Sequence, residues 1–120
     1  MSARSSRSWR GLPLAVCLLG GVLTHSTYAR ESPSARVHHV RMKDQKFVPE
    51  ELVVRQGDTV IWVNEDAVTH TVMAVGGGAP AFDSGNIQPK ASWRYVAKEK
   101  GRFPYLCSLH PGMHGVLTVR

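Results

Sequence analysis

The chain has 120 residues, of which 15 are basic, 9 are acidic and 42% are hydrophobic. That length suffices for one domain. Part of the formal net charge of +6 belongs to a basic N-terminus that we expect to be removed, and the remainder is only mildly basic. Because aromatic and basic residues are not interleaved along the chain, the sequence excludes a nucleic-acid-binding function.

The N-terminus has the layout of a secretory signal peptide. Arg4, Arg7 and Arg10 form a positive segment, an apolar run extends over residues 12–23, and a short segment ends at the small residue Ala29. We therefore predict a signal peptide over residues 1–29, cleaved after Ala29, and a periplasmic location. The apolar run is shorter than the about 20 residues of a membrane span. This disfavours the alternative, a retained N-terminal anchor, and we predict no membrane span in the mature chain.

Residues 30–120 keep 12 basic and 9 acidic residues, a balance of +3, and a single cysteine, Cys107. The other cysteine, Cys17, lies within the apolar run and leaves with the signal peptide. An exported protein with one cysteine has no internal disulfide, so its thiol is either a liability or a ligand.

The mature chain reads as a short leader followed by strands. Residues 30–36 are polar and contain proline, which predicts a flexible leader. β-branched and aromatic runs separated by turn residues then predict an all-β sandwich of seven to eight strands, and no segment has a helical period. The predicted strands are 37–42, 51–55, 59–64, 70–75, 92–97, 102–107 and 115–120, with shorter extended pieces at 47–49 and 82–85.

Residues 107–113, Cys-Ser-Leu-His-Pro-Gly-Met, carry most of the chemistry. Cys107, His110 and Met113 offer a thiolate, an imidazole and a thioether, and His70 offers a second imidazole between two strand-like segments. Thiolate and thioether favour Cu(I), whereas imidazole suits both copper oxidation states. Two His, one Cys and a weak axial Met form the ligand set of a type 1 copper site. This set leaves no open position for a substrate.

Four segments, 58–64, 70–72, 82–85 and 105–113, resemble the small cupredoxins of the plastocyanin, pseudoazurin and amicyanin branch. The short Cys-x-x-His-x-x-Met spacing favours the amicyanin-like members. The resemblance implies a Greek-key β-sandwich of the cupredoxin type over residues 37–120. It also implies one type 1 copper ion per chain, with His70, Cys107, His110 and axial Met113 as ligands.

One position departs from the family pattern. Many members have an asparagine after the first ligand histidine, and this asparagine braces the ligand loop by hydrogen bonding. Here the residue is Thr71, which has a shorter reach. The resemblance therefore implies a weaker brace or one supplied from elsewhere, and Ser108, next to the thiolate, is a candidate participant. Such bonds tune redox potential and rigidity.

The leading functional hypothesis is a monomeric periplasmic one-electron carrier. By resemblance, His110 exposes its ring edge in an apolar patch and passes the electron to a transiently docked partner. The alternative is a periplasmic protein for copper delivery or storage, which the ligand set alone would also serve. An enzyme is disfavoured because the flanks of Cys107 are Leu106 and Ser108, whereas multicopper oxidases place histidines there.

Basic side chains and further histidines add two smaller expectations. Lys90, Lys98 and Lys100 are candidates to steer an acidic redox partner. His38 and His39 are adjacent, so on a strand they point to opposite faces. This predicts one packed and one exposed histidine, with a weak second metal site as the alternative.

Overall fold

The computed structural model describes residues 11–13, 15, 17, 20–27, 29 and 32–120. Only 14 of the 29 residues of the predicted signal peptide are among the described residues, and residues 30 and 31 of the predicted leader lie outside them. Residues 32–36 are exposed and have no regular secondary structure. Among the described residues, no helix has the length and apolar character needed to cross a membrane. The folded unit described below is Ser32–Arg120.

Eight strands form this unit, in agreement with the predicted all-β class. In chain order they are β1 (Val37–Lys43), β2 (Lys46–Val48), β3 (Glu51–Val54), β4 (Thr59–Asn64), β5 (Met73–Ala74), β6 (Ser92–Val96), β7 (Gly101–Leu106) and β8 (His114–Val119).

The strands make two four-stranded sheets, in the orders β2-β1-β4-β6 and β3-β8-β7-β5. Strands β1 and β4 are parallel, as are β3 and β8, and the other pairs are antiparallel. Parallel neighbours cannot be joined by a tight turn. The chain therefore crosses between the sheets, and residues distant in sequence meet at each end of the sandwich.

The core lies between the inner faces of the sheets. Strand β1 shows how the sequence produces it, because Val40 and Met42 are buried while Arg41 between them is exposed, the alternation of a half-buried strand. Large aromatic rings fill the centre. The Trp62 ring centroid lies 5.5 Å from that of Tyr105 and 6.0 Å from that of Phe82.

The strand predicted over 70–75 is the largest difference from the sequence-based expectation. Only Met73–Ala74 pairs with β7, while His70 forms an isolated bridge with Ile87. The N–H of Val72 is bonded to the Ser84 hydroxyl at 2.7 Å. Partners in the loop that contains Ser84 and Ile87 therefore take the backbone groups that a longer ladder would use.

The topology brings the predicted ligands to one end of the sandwich. Residues 107–113 connect the end of β7 to the start of β8, and His70 lies in the connection between β4 and β5. The opposite end is formed by the start of β1, the end of β8 and the turn between β6 and β7. The predicted ligands and the residues of the opposite end are therefore separated by the length of the strands.

Candidate metal centre

The loop of residues 107–113 is closed by its own backbone. The N–H of Cys107 donates to the Met113 carbonyl at 3.0 Å, and the N–H of Met113 donates to the His110 carbonyl at 3.1 Å. Gly112 has φ +93°, a conformation that glycine adopts at no steric cost. Pro111 fixes its own φ and has no N–H. The sequence therefore builds a tight loop with few alternatives.

The upstream imidazole is held from the neighbouring loop. The N–H of His70 donates to the Ile87 carbonyl at 3.1 Å, and the N–H of Ile87 donates back to the His70 carbonyl at 2.7 Å. The His70 side chain is fully buried. The backbone around this residue is thus fixed before any metal is considered.

Three of the four predicted donors converge. The Nδ1 atoms of His70 and His110 lie 3.2 Å apart, and the Cys107 Sγ lies 3.8 Å from the first and 3.6 Å from the second. In the described part of the chain, one group of three or more His, Cys, Asp or Glu side chains is close enough together to hold a metal ion, and it consists of these three residues. Cys107 is also buried, whereas His110 is half-buried.

The dimensions of this triangle suit a metal ion. A triangle with edges of 3.2, 3.6 and 3.8 Å has a centre about 2 Å from each corner, close to the metal–nitrogen bonds of about 2.0–2.1 Å found in proteins. Two imidazoles and one thiolate are the trigonal donors of blue-copper sites. The residues present therefore fit a copper ion.

Met113 lies at the end of the same loop. Its side chain is buried, and its backbone is bonded to both Cys107 and His110. Burial of a thioether is equally consistent with packing. The structure thus keeps Met113 beside the triangle, and its role as axial ligand stays a prediction.

Asp66 orients the ring of the buried His70 and favours one of its tautomers. Its Oδ2 lies 2.7 Å from the His70 Nε2, and its two oxygens accept the N–H groups of Asp44 and Gln45. Burial on its own would raise the pKa of Asp66, but the Gln45, His70 and Asp44 hydrogen bonds outweigh it and lower that pKa. An ionised carboxylate only accepts, so Nε2 carries the proton and Nδ1 keeps its lone pair for a metal.

Asp66 is the site residue that sequence reasoning missed, because it falls between segments 58–64 and 70–72, which carry the family resemblance. The spacing of four residues to His70 was a signal, but it identifies a contact only in a helix. Here the two residues are joined by a loop, and the contact depends on the turn between β1 and β2.

Thr71 does brace the ligand loop, with Ser108 as its partner. The N–H of Ser108 donates to Thr71 Oγ1 at 2.8 Å, and the two hydroxyl oxygens lie 2.9 Å apart. The N–H of Thr71 points to the Cys107 Sγ at 3.3 Å. The short reach of threonine is thus met by a second hydroxyl, and the sulfur receives a backbone donor.

Comparison with known proteins decides the family. The family model described as a cupredoxin-like domain matches residues 15–119.

The chain belongs to the cupredoxins.

Individual relatives agree with this assignment. The amicyanin of Paracoccus denitrificans is 31% identical over 88% of this chain and 92% of its own length. A solved amicyanin variant in its Cu(I) form superposes with a TM-score of 0.65 at 29% identity, covering 75% of this chain and 87% of that one. The copper-containing nitrite reductase of Thermus scotoductus matches over 74% of this chain but only 23% of its own, with a TM-score of 0.63 and 28% identity. The enzyme is thus much larger than the part shared with this cupredoxin.

Three further histidines of this cupredoxin, His38, His39 and His114, lie outside the group of converging donors. His38 is half-buried, with its Nε2 2.9 Å from the Asp58 Oδ2, while His39 is exposed. The prediction of one packed and one exposed histidine is therefore confirmed. His114, just after the ligand loop, is exposed, and its Nε2 lies 3.1 Å from a Glu50 oxygen. These contacts place neither His38 nor His39 with the three converging donors.

The three lysines expected to steer a partner lie on different parts of the molecule. The N–H of Lys90 donates to the carbonyl of Asn64, at the end of β4 nearest the metal centre. The carbonyl of Lys98 accepts from the Gln56 side chain, and Lys100 directly precedes β7. Lys98 and Lys100 therefore lie at the end opposite the ligand loop.

Proposed function

We propose that this cupredoxin is a periplasmic one-electron carrier that binds one type 1 copper ion through His70, Cys107, His110 and axial Met113. The observation that carries the proposal is the convergence of two Nδ1 atoms and one Sγ within 3.2–3.8 Å of one another. Similarity to amicyanin over most of the chain supports it. Copper would supply a one-electron couple that this mixed soft and imidazole set accommodates in both oxidation states.

Rigidity of the donors favours electron transfer over copper delivery or storage. His70 is held by Ile87 and Asp66. The N–H of Cys107 donates to the Met113 carbonyl, and the Cys107 Sγ accepts the N–H of Thr71. Donors that keep their positions need little reorganisation when the charge at the site changes. A delivery protein would instead need donors that open readily to a partner. The buried Cys107 and His70 do not offer this.

His110 is the donor through which an electron would leave. His110 is half-buried, whereas the other three predicted ligands are buried. The neighbouring Leu109 is 49% exposed, and Pro111 and Gly112 are also exposed. A small apolar surface around a ligand edge suits a weak, transient redox partner. We propose that partners dock here and that the carrier acts as a monomer.

The N-terminal segment completes the proposal. Residues 1–29 would direct export and be removed after Ala29, leaving residues 30–36 as a leader before the domain of residues 37–120. Its last residue, Arg36, is held by backbone bonds to Asp58 and Thr59, so any flexibility would lie in the residues before it. The test is the intact mass of the protein purified from the periplasmic fraction. A mass that starts at Arg30 supports export and cleavage, and a protein that retains its N-terminus contradicts them.

The decisive test of copper chemistry is a visible absorption spectrum of the protein with one equivalent of Cu(II), followed by ascorbate. We expect an intense blue or green band that bleaches on reduction and returns on oxidation. The Cys107→Ser variant should lack the band, because the thiolate supplies the charge-transfer transition. A pale wild-type spectrum, or copper held only as Cu(I), would favour delivery or storage. A serine variant that stayed blue would contradict the assignment of Cys107 as a copper ligand.

The axial position needs its own experiment. Met113→Leu should retain copper and raise the reduction potential, because leucine removes a weak donor to Cu(II) without opening the core. Met42→Leu is a matched control, since Met42 is also fully buried but lies in β1. Voltammetry of the three proteins measures the difference. A potential that falls, or that shifts equally in both variants, would exclude Met113 as the axial ligand.

A further inference from the structure

A basic pocket lies at the end of the sandwich opposite the metal centre. This pocket, called the arginine pocket below, has a volume of about 220 Å³. Its lining residues are Arg36, His38, Val53, Val54, Arg55, Asp58 and Arg120. Arg36 precedes β1, Arg55 follows β3 and Arg120 follows β8. Strand β8 has six residues at about 3.3 Å each, so the pocket lies about 20 Å from the ligand loop.

The one acidic side chain in the arginine pocket is already occupied. The Asp58 Oδ1 accepts the N–H of Arg36 at 2.9 Å, and its Oδ2 accepts the N–H of Arg55 at 3.0 Å and faces the His38 Nε2 at 2.9 Å. Asp58 therefore bonds to the backbones of two arginines and not to their guanidinium groups. The carboxylate therefore holds the backbone of the pocket in place and does not pair directly with the arginine side chains.

The three guanidinium groups remain available for an external anion. Among the described residues, the ion pair that involves an arginine is Arg41–Glu65, outside this pocket. Among the residues that line the pocket, three guanidinium groups outnumber the single carboxylate of Asp58. The nearby turn adds Lys98 and Lys100, offset in part by Glu99. The pocket thus keeps an excess of positive charge.

The backbone that carries these arginines is fixed. The Arg36 carbonyl accepts the N–H of Thr59 at 2.9 Å, the N–H of Arg120 donates to the Val54 carbonyl at 2.9 Å, and the Arg120 carbonyl accepts the N–H of Gln56 at 2.8 Å. Arginine forks recognise oxoanions by paired N–H groups. Fixed attachment points on three different elements reduce the ordering that binding would require.

We infer that the arginine pocket binds one multiply charged oxoanion of the phosphate class. The phosphate group can belong to a free ion or to a phospholipid headgroup, and both offer the same oxygens to the same guanidinium groups. Val53 is 50% exposed beside the arginines, which gives a headgroup an adjacent apolar contact. Because the pocket lies opposite the ligand loop, an occupant leaves the His110 surface free. The inference needs no copper and goes beyond the proposed electron transfer.

The first arm of the test is calorimetric titration of the purified protein with inorganic phosphate at constant ionic strength. We expect saturable binding of one equivalent, weakened at least about tenfold in R55Q/R120Q by loss of charge-assisted bonds. The matched control R94Q removes an exposed arginine of β6 and should change affinity by less than about twofold. Far-ultraviolet circular dichroism confirms that the variants are folded.

The second arm is co-sedimentation with phosphatidylglycerol vesicles, with phosphatidylcholine vesicles as the zwitterionic comparison. Vesicle binding that R55Q/R120Q loses and R94Q retains identifies a headgroup as the phosphate source. Binding of inorganic phosphate with no pocket-dependent vesicle binding identifies a free anion. The inference is overturned when neither probe binds, or when both arginine variants bind as the wild type does.

Discussion

Replacing Asp66 by asparagine should weaken copper binding without removing any ligand. The Asp66 carboxylate accepts a hydrogen bond from His70 Nε2 at 2.7 Å, and its side chain is only 13% exposed. A hydrogen bond to a charged group contributes about 1.5–3 kcal/mol, and each 1.4 kcal/mol is a tenfold change in affinity. The expected loss is therefore about 10- to 100-fold, which is the range found when outer partners of metal-bound histidines are changed.

The assay is competition for copper against a chelator of known affinity, followed by the visible band. Glu65→Gln is the matched control, because it makes the same charge change one residue earlier, at a carboxylate whose partner is Arg41 on the surface. If Asp66→Asn binds copper as tightly as Glu65→Gln, the carboxylate does not position His70 and the reasoning fails.

Three further predictions concern stability. The Arg36, Arg55 and His38 hydrogen bonds lower the pKa of Asp58 from 3.8 to about 2. The contribution of Asp58 to folding stability is therefore complete above pH 3.8 and is lost as the pH falls towards 2. Asp58→Asn should make the free energy of unfolding less dependent on pH in that window, and an unchanged pH dependence would contradict this. Gly115→Ala should destabilise the fold by about 1–3 kcal/mol, because its Cβ would lie 2.6 Å from the Tyr105 ring and hydroxyl; urea unfolding measures this, and wild-type stability would exclude the clash. Thr71→Val should cost about 1–3 kcal/mol by leaving the Ser108 N–H without its acceptor, whereas the control Thr69→Val removes only an exposed bond, and equal effects would argue against the brace.

The strands that sequence predicts well are those with strong local patterns. Residues 59–64 were predicted as a strand and form β4, because a β-branched run is flanked by clear turns on both sides. Residues 70–75 were predicted in the same way but pair only at Met73–Ala74. The missing ladder depends on Ile87 and Ser84, which are distant in sequence, and a local pattern contains no information about such partners.

The candidate site divides along the same line. Cys107, His110 and Met113 were identified from one compact motif and a family resemblance, and the structure brings the first two together with His70. Asp66 was not identified, since its contact with His70 arises from loop geometry. The arginine pocket was not predicted either, because Arg36, Arg55 and Arg120 are isolated in the sequence and meet only where β1 begins and β3 and β8 end.

The position of β8 has a consequence for how this cupredoxin is made. Strand β8 comes last of the eight strands in chain order, yet it is an inner strand, flanked by β3 and β7. The second sheet cannot form before β8 is in place, because β8 joins β3 to β7, and its long-range parallel pairing with β3 slows folding. Until β8 closes the sheet, the Cys107 thiol is not enclosed by the core. The three converging donors are therefore brought together only when β8 takes its place, which ties the metal centre to the last step of sheet assembly.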